Sequence, residues 1–160
     1  MHHKENSMNQ LSDLFSNPFL TTPLFAWLCA QVLKTFTHLW IYRTFDIRRL
    51  FGDGGMPSGH SATVTSLAAL AGLVYGLASF EFAVSAILAI IVCHDAMGVR
   101  LETGKQAAVI NDLVEIIDML TADDSVPEVK LKEFVGHTPI QVFAGILVGL
   151  AVAGLRYLFM

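Results

Sequence analysis

Four apolar stretches, each of bilayer-spanning length, constrain this chain more than any other feature. In hydrocarbon every backbone polar group must be satisfied internally, and a helix does this within its own segment. The first stretch runs from about Pro18 to Tyr42 and at ~1.5 Å per residue covers ~37 Å, enough to cross a ~30 Å core with tilt. The second, about Gly59 to Ser79, follows Pro57 and is apolar almost throughout. The third begins near Phe80, stays apolar to Cys93 and turns polar at His94, Asp95 and Arg100, with Gly98 marking its expected end. The fourth, about Thr138 to Phe159, opens on Gly136-His137-Thr138-Pro139.

Composition agrees with lipid as the solvent: 54% of residues are hydrophobic and 15% charged, against ~25% charged in soluble domains. The formal charge of -4 excludes a nucleic-acid binder, which would carry a basic face. Cys29 and Cys93 lie inside apolar stretches and read as buried free thiols, with no disulfide framework or metal-binding pair. The polar start of the chain does not read as a signal peptide.

Between the third and fourth stretches, Val109, Leu113, Ile116, Ile117 and Leu120 recur at helical spacing, while Asp112, Glu115 and Asp118 take other faces. Gly104 to Leu120 is therefore predicted to be an amphipathic helix. Its acidic face would be repelled by anionic lipid, so it is expected to pack against the membrane domain. The predicted fold is an all-α integral membrane helical bundle with about four spanning helices plus this amphipathic one. It forms a single domain over residues 1–160, with a polar N-terminal segment at 1–17 and a polar loop at 121–132.

Four spans put both termini on one side of the bilayer and gather the unusual polar residues on the other. Arg43, Arg48, Arg49, His60, Asp95, Arg100, Lys105, Lys130, Lys132 and His137 all fall near that face. The positive-inside rule makes it cytoplasmic, in a cell (inner) membrane, although a phosphate site would gather the same cations. Ala68, Gly72 and Gly76, and likewise Gly145, Gly149 and Ala153, form small-residue stripes of the kind that let helix backbones approach closely. At least one stripe is expected to serve a homodimer contact.

Gly54-Gly55-Met56-Pro57-Ser58-Gly59-His60-Ser61-Ala62 lies where a loop becomes a helix, so free backbone N–H groups and the positive end of a helix dipole face the crowded side. That is an anion site, to which Ser58 and His60 add donors. His137 opens the last span on the same side. Of two histidines so placed, one can attack phosphorus and the other can protonate the departing oxygen.

Pro57-Ser58-Gly59-His60, followed about eighty residues later by His137-x-Pro139-x-x-Val142-x-Ala144-Gly145, resembles the type 2 phosphatidic acid phosphatases and the related vanadium haloperoxidases. Together with the run Asp95 to Arg100, these motifs are similar to the small divergent membrane branch of that superfamily. The resemblance covers Lys34 to about Gly149. It implies that Ser58 and Gly59 bind phosphate, that His60 is the general acid and that His137 is the nucleophile, with no metal and no cofactor. The first-motif Lys-x6-Arg-Pro is absent as such, and Lys34, Arg43 and Arg49 stand as its substitutes. Leu131 occupies the place of the third motif's arginine, leaving Arg100 or Lys132 to replace it, and Gln141 stands where an aspartate would orient His137. Asp95 and Arg100 read equally as an ion pair or as part of the phosphate site, and Lys105 follows them.

The implied activity is hydrolysis of a phosphate or diphosphate on a lipid or isoprenoid carrier through a phosphohistidine. The second reading is a non-catalytic descendant that binds phosphorylated lipid or a membrane partner.

Overall fold

The computed structural model describes residues 12–43, 55–121, 131 and 136–160, and all its described elements are helical. Helix α1 spans Pro18–Tyr42, α2 Gly59–Tyr75, α3 Phe80–Met97, α4 Val99–Thr121 and α5 Pro139–Leu158. Of the polar segments expected at 1–17 and 121–132, residues 1–11 and 122–130 lie outside the described residues, as does 132.

Local chemistry fixes the helix ends. Asn17 caps α1 by accepting from the Phe19 N–H at 2.9 Å, and Pro18 supplies a first-turn residue that needs no donor. Gly76, at φ 87°, stops α2 at Tyr75, short of the expected Ser79. Ser79 instead caps α3, its Oγ accepting from the Phe82 N–H at 3.2 Å. Gly98 interrupts the chain for one residue only, and α4 starts at Val99 instead of Gly104.

Among the described residues, three runs are long and apolar enough to cross a membrane: Pro18–Ile41, the run from Phe80 to Leu120, and Pro139–Leu158. The second expected span, α2, has 17 residues, ~26 Å at 1.5 Å per residue. It is the centre of the bundle, packed against α1, α3 and α5.

Burial is inverted relative to a soluble protein. Trp40, Ile41, Leu77, Phe80, Ile90 and Phe143 are mostly exposed, while Thr22, Gln31, Lys34, Ser58, Ser61, Ser66, Ser85 and His137 are buried. In water this arrangement would leave a large apolar surface unpaid by any core. Hydrocarbon solvates the outside, and the bundle interior keeps small and polar groups that let backbones meet.

The glycine stripes are the clearest case. A Cβ on Gly145 would strike the carbonyl of Ser58, and one on Gly149 would come within 2.6 Å of the Ala62 carbonyl oxygen and 3.0 Å of the Ser66 nitrogen. Gly72 packs against Phe82, whose Cδ2 lies 2.9 Å from its would-be Cβ. Gly145, Gly149 and Gly72 therefore serve contacts within one chain, α5 on α2 and α2 on α3, whereas a Cβ at Gly76 would meet nothing within 4 Å. Because backbone cannot yield as a side-chain tip can, Gly149→Val is expected to destabilise the bundle by ~1–3 kcal/mol. Thermal unfolding in mild detergent would register it as a lowered Tm, and an unchanged Tm would remove this contact from the account.

The amphipathic helix also departs from expectation. Among the described helices α4 packs only against α3, and Val109, Leu113, Ile116, Ile117 and Leu120 remain about half or more exposed. It continues from α3 across one residue instead of folding back over the bundle. Further along the helix, the Asn111 carboxamide bonds the Leu131 carbonyl and amide, each at 2.9 Å.

Candidate functional site

Four helix ends meet at one face, and named contacts bring them together. The Thr37 hydroxyl on α1 donates to the Met56 carbonyl at 2.8 Å, and the Lys34 stem lies against Gly55, whose would-be Cβ is 3.2 Å from Lys34 Cγ. The Ser58 N–H donates to the Gln141 carbonyl at 2.9 Å, joining the start of α2 to the start of α5. The His137 N–H donates to the Ala96 carbonyl at 3.0 Å, joining α5 to the end of α3. Gly136, at φ 91°, sits so close to the backbone of Arg100 and Leu101 that no side chain fits there.

Ser58 is fully buried, and its Oγ lies 3.4 Å from the Ser61 N–H and 3.1 Å from the Ser61 hydroxyl. Its backbone amide is taken by Gln141, so the N–H groups left at the mouth of α2 are those of Gly59 and His60. These have no partner among the described residues. Sequence reasoning gives Ser58 a direct phosphate role; its described bonds make it the helix cap that aims the next two amides.

The His60 and His137 rings lie with centroids 6.2 Å apart and planes at 57°. His137 is 3% exposed, whereas His60 is exposed. His137 Nδ1 is 3.2 Å from Gln141 Oε1. The same oxygen accepts from the Thr138 N–H at 3.1 Å, the glutamine half of a capping box. That backbone donor identifies the facing amide atom as oxygen. Facing an acceptor, Nδ1 carries the proton, which makes Nε2 the unprotonated ring nitrogen.

The cations divide. Lys34, 3% exposed, reaches the loop. Arg43 lies at the left-handed end of α1, beside a groove lined by Phe36, Thr37, Leu39 and Trp40. Arg100 Nε pairs with Asp95 Oδ2 at 2.9 Å, both side chains about half exposed, so the pair itself is worth little in stability. Its backbone abuts Gly136, next to His137. Lys105 pairs instead with Glu102 at 2.7 Å on the exposed surface of α4, with no described contact to either histidine. Arg49 lies outside the described residues.

Some residues that shape the site are missing from the motif reading. Thr37 on α1 ties the loop at Met56, and Gln31 and Trp27 on α1 border Gly59. A glutamine in a span was the legible signal. A groove of about 510 Å³ at the other end of α1 and α5, lined by Phe15, Phe25, Val152 and Arg156, contains none of the site residues.

The class defined here is an all-helical membrane protein with two neighbouring histidines and buried polar groups at the common end of its helices. The chain belongs to the divergent PAP2 family, whose model matches residues 15–152. It is 43% identical over 157 residues to the uncharacterized membrane protein YuiD of Bacillus subtilis (strain 168), covering 92% of this chain and 99% of that one. No solved structure matches it. The chain is thus a phosphatase-related membrane protein.

Proposed function

We propose that the protein hydrolyses a phosphate monoester or diphosphate carried on a lipid or isoprenoid chain. The observation carrying this reading is the oriented pair of rings: His137 with Nδ1 facing Gln141 Oε1, and His60 at a centroid distance of 6.2 Å. A near-attack contact of ~3–3.5 Å and a hydrogen bond of ~2.6–3.2 Å together span a gap of this scale. The Gly59 and His60 amides and the α2 dipole would hold the phosphoryl oxygens, with Lys34 and Arg100 as candidate cations. His137 Nε2 attacks phosphorus to form a phosphohistidine, the P–O bond to the carrier breaks, and His60 delivers a proton to the leaving oxygen. Water then attacks the phosphohistidine and releases phosphate.

The cations at this end favour a cytoplasmic active face in the cell membrane. Among the described residues Lys34, Arg43, Arg100 and Lys105 belong to this half, and Arg156 alone to the other. A non-catalytic lipid-phosphate binder is the second reading, favoured by the neutral Gln141 and by Leu131, whose backbone is held by Asn111. Purified protein presented with a panel of lipid and isoprenoid phosphates should release inorganic phosphate, and His137→Ala should not. Binding without release by the wild type would select the second reading.

A further inference from the structure

Trp27, Gln31 and Lys34 lie on one face of α1 at four- and three-residue spacing. Because α1 runs toward the site, Gln31 is ~4.5 Å and Trp27 ~10 Å deeper in the bilayer than Lys34, at 1.5 Å per residue. Lys34 meets the loop at Gly55. Gln31 and Trp27 meet it at Gly59, whose would-be Cβ is 3.2 Å from Trp27 Cδ1 and 3.9 Å from Gln31 Cδ. Gln31 thus borders the first residue of α2 on the membrane-interior side of the free amides.

Gln31 is 6% exposed, and its Oε1 is a buried acceptor with no hydrogen-bond partner among the described residues. An acceptor left unpaired is costly, the more so where no water reaches it. As a packing residue it would be better replaced by leucine or methionine. It is a fitting neighbour for a ligand that brings its own donor to that depth.

We propose that Gln31 is a specificity-determining residue that accepts a hydrogen bond from a hydroxyl or amide N–H on the carbon next to the phosphate ester. The favoured substrate is then a lipid phosphate with such a neighbouring donor. A polyprenyl phosphate has only hydrocarbon there and would leave the acceptor buried and unpaired. This rests on the phosphate site proposed above and narrows its two carrier classes to one.

The test uses the full chain in lipid nanodiscs and measures binding of three probes: a 1-acylglycerol 3-phosphate with a free 2-hydroxyl, its 2-deoxy analogue, and farnesyl phosphate. Wild type should bind the hydroxyl lipid about 10–100-fold more tightly than either of the others. Gln31→Leu, and Gln31→Met as the length-keeping variant, should erase that preference while unfolding at the same or a higher temperature, because each removes an unpaired buried oxygen. Equal binding of the three probes by wild type, or a preference that survives both variants, overturns the assignment to Gln31 and leaves the phosphate site standing. Failure of wild type to bind any of the three overturns the phosphate site and this inference with it.

Discussion

His137→Ala is expected to abolish turnover of every substrate, a loss of about 10⁴–10⁶-fold in kcat by analogy with removal of a nucleophile elsewhere. His60→Ala should lose about 10²–10⁴-fold on an alkyl phosphate and far less on an activated aryl phosphate. The asymmetry follows from the chemistry of the two steps. An attacking nitrogen is needed whatever leaves, and burial of His137 with its Nδ1 held by Gln141 fits a group kept in one tautomer. Protonation matters most when the departing oxygen is strongly basic, as a lipid alkoxide is and a nitrophenolate is not. The exposed His60 can regain its proton from water between turnovers. Paired kinetics on a lipid phosphate and an aryl phosphate measure this directly. Equal losses on both substrates for His60→Ala would remove its acid role, and residual lipid turnover in His137→Ala would remove the nucleophile.

The parts of this arrangement readable from sequence are those set by local rules. Apolar runs announce spans, and Ser58 and Thr138 lie at helix starts because their positions suit caps. Gln141 falls on the face of His137 because it is one turn further on, and the 3.2 Å contact between them is what that spacing allows. Choices among neighbours were not readable. Periodicity exposes a stripe of glycines without naming what it meets, and the stripe at Gly145 and Gly149 meets α2 of its own chain. Likewise the acidic amphipathic pattern from Asp112 to Asp118 defines a helix and an apolar row, but the direction it takes is decided at Gly98, where the backbone resumes a helix after one residue. Lys105 is drawn to Glu102 for the same reason: a carboxylate three residues before it on the same helix is closer than any anion site.

Replacement of Gln141 separates orientation from charge. Gln141→Ala removes the acceptor facing His137 Nδ1 and frees the ring to turn, so activity should fall about 10–1,000-fold, the range between loss of an orienting partner at a metal-bound histidine and loss of one in a catalytic triad. The same change deletes the glutamine half of the cap at Thr138, costing ~0.5–2 kcal/mol of helix stability, so thermal unfolding must be followed alongside rate. Gln141→Glu restores an acceptor at the same length and adds a negative charge at a helix N-terminus, where the dipole favours it. A carboxylate also stabilises the imidazolium character that grows as His137 gives up its lone pair to phosphorus, through a charge-assisted bond about twice as strong as a neutral one. Gln141→Glu should therefore match or exceed wild-type kcat while Gln141→Ala falls, at unfolding temperatures that follow the cap and not the rate. If all three proteins turn over a lipid phosphate at the same rate, Gln141 does not orient the nucleophile. If wild type is inert and Gln141→Glu alone becomes active, the natural chain is the binding protein of the second reading, a phosphatase site held at rest by one neutral side chain.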